Sequence, residues 1–335
     1  MRILITGANG FIGSFLVEKG VAAGHEVWAA IRKGSDRTYL SRKVAGCIEL
    51  DYSDYGLLCR QLSSFCIEWG RWHVVVHAAG VTKCSEKKLF YSGNTKVTEN
   101  LVNALTELDI VPDQFIFISS LGVFGPVRDT PPYKPILDSD VPCPDTCYGK
   151  SKLLAEEYIK ALPGFPYVIF RPTGVYGPRE KDFLTLIRSV RNHLIVSSGT
   201  GSQKLTFVYV KDVVKAVFLA IDKQVVRRAY FVTDGSVYNN SDFSLAVNCV
   251  LRNRWAINIR CPLLVVRLLS WFLGGIAALM GRSLILNSDK YRILRQRNWQ
   301  CDIIPLIKEL DYIPDYPLER GVAETVEWYR ENRWL

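Results

Sequence analysis

The stretch Thr6-Gly7-Ala8-Asn9-Gly10-Phe11-Ile12-Gly13 constrains this chain more than any other. It follows the apolar run Arg2-Ile3-Leu4-Ile5, which reads as a strand. It leads into Phe11, Ile12, Phe15, Leu16 and Val17, whose spacing reads as a helix. Each of the three glycines has a separate task in a strand-turn-helix that holds a dinucleotide. Gly7 permits the tight turn, Gly10 leaves room for a pyrophosphate, and Gly13 lets helix and strand pack closely. The pyrophosphate would rest on the N–H groups of the helix N-terminus, where the dipole favours negative charge.

Strand and helix signals then alternate, as a doubly wound α/β fold with a parallel sheet requires. Strands are expected at Glu26–Ile31, Cys47–Asp51, Trp72–His77 and Gln114–Ser119, with a long helix from about Asn94 to Leu108. The end of the second strand bears on the cofactor. A carboxylate there would bind a ribose 2′-hydroxyl, whereas this chain has Ile31 followed by Arg32-Lys33, which suit a 2′-phosphate and favour NADP over NAD. Asp51 reads either as an acceptor for an adenine amino group or as a helix N-cap. Ala78-Ala79-Gly80 would let backbone pass close to a cofactor, and His77 reads as a packed strand-end residue.

The chemical centre is Tyr148 and Lys152, four residues apart on one face of a helix running through Ile159. A nearby ammonium favours the phenolate and lowers the tyrosine pKa, so Tyr148 can exchange a proton with a substrate oxygen. Ser120, at a neighbouring strand end, can hydrogen-bond the same oxygen; Ser119 reads as structural.

With these residues in place, the chain resembles the extended short-chain dehydrogenase/reductases of the NAD(P)-dependent epimerase/dehydratase superfamily. That group includes nucleotide-sugar epimerases, dihydroflavonol reductases, 3β-hydroxysteroid dehydrogenases and bacterial ketosphinganine reductases. The matching residues are Thr6–Gly13, His77–Gly80, Asn94, the Ser120 strand end, Tyr148/Lys152 and Arg171-Pro172-Thr173-Gly174-Val175-Tyr176-Gly177-Pro178. The resemblance implies hydride transfer at the nicotinamide C4, with Ser120, Tyr148 and Lys152 as catalytic residues. It also implies cofactor contacts from Gly7, Asn9, Gly10, Phe11, Ile12, Arg32, Lys33, Asp51, Tyr52, Ala78, Ala79, Gly80, Asn94, Tyr148, Lys152, Pro172, Thr173 and Val175. A Rossmann-type NADP domain over 1–170, with 205–233 returning to it, and a substrate lobe over 171–335 are expected, as is a homodimer.

Departures from the pattern bear on substrate. Nucleotide-sugar members commonly carry an asparagine where this chain has Gly174, and a diphosphate-gripping arginine where it has Leu205. The Asp-Glu pair of sugar dehydratases is replaced by Leu121-Gly122. The lost amide and guanidinium suit an apolar, lipid-like substrate, and the lost Asp-Glu pair argues against dehydration chemistry. The stretch Pro262 to Leu286 is mostly apolar, with Arg267 and Arg282. It is too short to span a bilayer comfortably and reads either as buried core or as a segment resting on a membrane face.

The net charge of +9 agrees with an anionic cofactor, substrate or membrane surface, and no basic run is interleaved with aromatics as nucleic-acid binding would require. Nine cysteines without CxxC pairs and only four histidines give no metal-ligand spacing and suggest free thiols. With Met1 leading straight into a strand, a cytoplasmic protein, at most touching the membrane face, is expected. The expected activity is NADP(H)-dependent reduction of a ketone, or oxidation of a secondary alcohol, on a lipid-like molecule of 3-ketosphinganine or 3-ketosteroid type. A nucleotide-sugar epimerase or reductase is the enzymatic alternative, and a non-catalytic NADP-binding sensor the other.

Overall fold

The computed structural model describes residues 1–335 apart from 85, 200, 266 and 269–287. The chain forms two compact units, the first made of 1–120, 150–171 and 214–230 and the second of 121–149, 172–213 and 231–335.

The first unit is built on a seven-stranded sheet. Its strands are β1 (Arg2–Thr6), β2 (Glu26–Ile31), β3 (Gly46–Glu49), β4 (Val74–His77), β5 (Gln114–Ile118), β6 (Tyr167–Pro172) and, at the far edge, β10 (Arg228–Val232). The order is β10-β6-β5-β4-β1-β2-β3, and the ladders from β6 across to β3 are parallel. Helices cover both faces, so the central strands are apolar on both sides: Ile3, Leu4 and Ile5 of β1 and Phe115, Ile116 and Phe117 of β5 are wholly buried. Strand order reverses between β1 and β4, and such a switch point opens a crevice at the carboxyl ends of the strands. The glycine loop and Ala78-Ala79-Gly80 lie at those two ends.

The helices follow their sequence signals. Helix α1 (Phe11–Ala22) begins at Gly10 without a side-chain cap, which leaves its first N–H groups to the loop. Helix α2 (Tyr55–Trp69) is capped by Asp54, whose carboxylate accepts from the Leu57 N–H at 2.9 Å. Helix α3 (Val97–Glu107) is entered through a π-helical turn, Tyr91–Lys96, where the sequence suggests a continuous α-helix from Asn94. Helix α4 (Cys147–Ala161) carries Tyr148 and Lys152.

In the second unit, β7 (Gly174–Tyr176) pairs in parallel with β9 (Phe207–Tyr209), and β8 (Leu194–Ser198) pairs in parallel with β11 (Ile257–Cys261). Helices α5 (Asp182–Arg191), α7 (Asp242–Leu251) and α10 (Leu318–Glu331) enclose a core rich in aromatics, with Tyr176, Phe207, Tyr209, Phe243 and Tyr329 at its centre. Helix α6 (Val210–Asp222) follows β9, and α8 (Ser288–Arg295) and α9 (Ile304–Leu310) lie between β11 and α10 in sequence. Most of the apolar stretch 262–286 falls outside the described residues. Among those described, no helix is long and apolar enough to cross a membrane.

Candidate active site

The glycine loop is built as its spacing requires. Gly7 adopts φ +64°, and a Cβ there would lie 2.8 Å from the backbone of Ala79. A Cβ on Gly13 would lie 2.0 Å from the Gly7 carbonyl oxygen, so only glycine lets α1 start this close to β1. The result is a backbone cradle at a helix N-terminus whose N-cap, Gly10, brings no side chain, and these residues fit a dinucleotide pyrophosphate. Phe11 and Ile12 open the helix, and Asn9 is fixed across the loop, its amide donating to the Asp36 carbonyl at 3.0 Å.

Beneath the loop runs a directional hydrogen-bond chain. The Ala79 N–H donates to the Thr6 hydroxyl at 3.1 Å, and the Thr6 oxygen lies 2.7 Å from Nδ1 of His77. His77 Nε2 lies 3.0 Å from the Thr98 oxygen, and the Thr98 hydroxyl donates to the Asn94 carbonyl at 2.7 Å. The Thr6 proton is therefore directed at Nδ1 and the ring carries its own proton on Nε2. Burial, with a contribution from the Lys152 charge, pushes the His77 pKa down to about 3. His77 is a neutral, fully buried strut, as its strand-end position suggests.

Asn94 lies in the π-helical turn, a deformation that recurs at functional sites. Its amide is fully engaged: Oδ1 accepts from the Val81 N–H at 2.8 Å, while Nδ2 donates to the Val81 carbonyl at 3.0 Å and to the Ser151 hydroxyl at 2.9 Å. It ties the loop after β4 to the residue beside Lys152. Lys152 is 4% exposed; its ammonium donates to the Ile118 carbonyl at 2.9 Å and stands 4.6 Å from the centre of the Phe117 ring. Desolvation pushes its pKa down to about 8, with Glu156 acting in the opposite direction. Ser120 comes two residues after that carbonyl, half-buried, at the end of β5. Tyr148, also half-buried, sits one turn before Lys152 on the same helix face. A Cβ on Gly149 would lie 2.3 Å from the Gly122 carbonyl oxygen, so the start of α4 is pressed against the turn that directly follows Ser120.

Other positions are less direct. Arg32 and Lys33 are exposed in the loop after β2. Asp51 does not cap α2; its carboxylate instead folds back on Ser53, accepting from the N–H at 2.9 Å and from the hydroxyl at 2.5 Å, and these bonds lower its pKa. The Tyr52 ring is buried in the core of the first unit, so its own side chain is not displayed at the loop surface. Pro172 ends β6, and the Thr173 hydroxyl after it is buried without a hydrogen-bond partner. Val175, in β7, is half-buried. Gly174 is exposed, and a Cβ there would meet the ring of Phe207 at 3.1 Å and that of Phe183 at 3.7 Å. Leu205 exchanges two backbone hydrogen bonds with Tyr238 and packs against the aromatic core.

Sequence reasoning missed two supports. Ser119 donates to Glu156 at 2.5 Å, and Glu156 forms a wholly buried ion pair with Arg171 at 2.7 Å. A charged residue at the end of the strand Tyr167-Val168-Ile169-Phe170 was the available signal. Asp289 of α8 accepts from the Cys147 N–H at 2.8 Å and so caps the helix immediately before Tyr148. Nothing local in sequence links positions so far apart. Among the described residues no group of three His, Cys, Asp or Glu is placed to hold a metal ion, and none of the nine cysteines forms a disulfide.

The sequence profile of the NAD dependent epimerase/dehydratase family matches residues 3–233. A putative UDP-glucose 4-epimerase of Methanocaldococcus jannaschii is 30% identical over 234 residues, covering 66% of this chain and 73% of that protein. The decarboxylating sterol-4-alpha-carboxylate 3-dehydrogenase of Dictyostelium discoideum is 25% identical over 248 residues, 70% of this chain and 71% of that protein. The crystal structure of UDP-glucose 4-epimerase from Thermotoga maritima, with UDP-glucose, superposes with a TM-score of 0.78 at 22% identity, covering 99% of this chain and all of that one (100%).

Proposed function

The chain belongs to the NAD-dependent epimerase/dehydratase family, and within it we propose that it is an NADP(H)-dependent oxidoreductase acting on a ketone or secondary alcohol of a lipid-like molecule, of 3-ketosphinganine or 3-ketosteroid type. When bound, the nicotinamide supplies or takes the hydride. Tyr148 gives a proton to the carbonyl oxygen in reduction and removes it in oxidation. Lys152, held between the Ile118 carbonyl and the Phe117 ring, keeps its charge on the face of α4 that carries Tyr148 and favours the phenolate. Ser120 donates to the same oxygen and fixes its position. Exposed Arg32 and Lys33 are suited to a 2′-phosphate, which supports NADP.

The observation that carries the substrate reading is at Gly174. A side chain there would meet the rings of Phe207 and Phe183, and Leu205 packs against the same aromatic cluster. Aromatic rings at this position, with glycine and leucine in place of the amide and guanidinium, favour apolar surface. The sterol dehydrogenase relative is consistent with this. A nucleotide-sugar epimerase is the second reading, supported by the epimerase relative at 30% identity. NADPH oxidation by the purified protein, measured against lipid ketones in detergent and against keto-sugar nucleotides, separates the two. Turnover confined to the lipid ketones supports the proposal, and turnover confined to the sugar nucleotides overturns it.

A further inference from the structure

The pairing of β8 with β11 leaves an unusual surface. On β8, Ile195 and Ser197 point inward and are buried, while Val196 between them is 49% exposed. The parallel register sets Val196 beside Ile259 and Leu194 beside Ile257, so the two isoleucines share the outward face. Both are exposed, as are Leu264 and Leu268, which follow β11 in sequence. A solvent-facing sheet surface normally carries polar side chains, and a contiguous apolar one marks a site of contact.

Charge states what the contact is with. Between Asp242 and Asp289 the chain holds Arg252, Arg254, Arg260, Arg267 and Arg282 and no acidic residue at all. Between Asp182 and Asp212, the stretch that supplies β8, it holds Arg188, Arg191, Lys204 and Lys211 and again no acid. Arg254 and Arg267 are exposed and interleaved in sequence with the exposed aliphatics, while Arg260, beside Ser197 in the register, belongs to the other face of β11. Aliphatic side chains among arginines, with carboxylates excluded, match an anionic lipid surface: the apolar groups enter the acyl boundary and the guanidiniums stay at headgroup level. Nucleic acid would call for stacking aromatics in place of isoleucine and leucine.

We infer that the outward face of β8 and β11, together with the exposed Leu264 and Leu268, is a peripheral docking surface for a bilayer of anionic phospholipid. The inference does not depend on the substrate, and its test needs no turnover. Purified full-length protein is floated with vesicles of phosphatidylcholine alone, or of phosphatidylcholine containing phosphatidylglycerol, in low and high salt. The protein rises with the anionic vesicles and not with the neutral ones, and high salt weakens the association. The surface variant Ile257→Ser/Ile259→Ser melts at the wild-type temperature and partitions at least about ten-fold more weakly. Replacing Arg254 and Arg267 with Gln lowers partitioning roughly five-fold per arginine. Flotation that ignores lipid charge, or that persists unchanged in both variants, overturns the inference. So does a sedimentation experiment in which the isoleucine variant converts a dimer to a monomer while wild-type protein ignores vesicles, since the face would then be covered by a second copy.

Discussion

His77 makes the fold sensitive to acid in a way that can be worked out from its neighbours. Its Nδ1 faces the Thr6 hydroxyl, whose oxygen already accepts from Ala79, and its Nε2 faces Thr98, whose proton goes to the Asn94 carbonyl. A second ring proton would point at a hydroxyl that is already donating, in a fully buried site near the Lys152 ammonium. The folded protein thus holds the imidazole neutral down to about pH 3, whereas the unfolded chain protonates it near 6.5. Between those values the unfolded state binds more protons, so stability from this group is complete above 6.5 and falls as pH falls. The slope is about 1.4 kcal/mol per pH unit, or about 3 kcal/mol between pH 6.5 and 4.5. Chemical denaturation of wild type and His77→Asn at pH 7.5 and 4.5 measures this directly. The variant starts less stable, but its loss on acidification is smaller by about 3 kcal/mol, other titrating groups cancelling in the difference. Equal losses in the two proteins would refute the neutral-imidazole chain.

Three further outcomes follow from the same geometry. If Lys152 acts as a cation, kcat/KM for reduction falls as pH rises through about 8, the value to which burial lowers its pKa, and a profile flat to pH 10 counts against that role. Glu156→Gln leaves the Arg171 charge buried without its partner and lowers stability by about 3–5 kcal/mol in denaturant titrations. Asp289→Ala removes the acceptor that caps α4 before Tyr148 and lowers kcat roughly ten-fold with little change in KM for NADPH; Asp289→Asn, which keeps an acceptor, retains most activity.

The parts of this protein legible in sequence are those fixed by local chemistry. The Gly7-Gly10-Gly13 spacing announces a backbone turn that only glycine can make, and the structure shows a Cβ at Gly13 colliding with the Gly7 carbonyl. Strand β2 runs from Glu26 to Ile31, the limits set by its apolar run. Tyr148 and Lys152 are one turn apart, so any helix places them together. What escaped depends on contacts distant in sequence. The carbonyl that receives Lys152 belongs to Ile118, the carboxylate that holds Ser119 belongs to Glu156, and the cap on α4 comes from Asp289. The capping alternative for Asp51 fails for a smaller reason. The helix starts three residues later than its strand end suggests, so Asp54 takes the cap and Asp51 turns back on Ser53. The π-helical turn at Asn94 leaves no periodic trace, because six residues are too few to shift a hydrophobic pattern.

The proposed reaction is net transfer of a hydride to a lipid ketone through Tyr148, as opposed to the transient oxidation and return of an epimerase. It is tested most directly with NADPH deuterated at the transferring position of C4, a long-chain keto lipid as substrate, and mass spectrometry of the product. Deuterium is expected on the new carbinol carbon with the wild-type protein, in an amount equal to the NADPH consumed, and none with Tyr148→Phe. Label that stays on the cofactor while a sugar nucleotide is epimerised, or that reaches the lipid equally well without the Tyr148 hydroxyl, would contradict it.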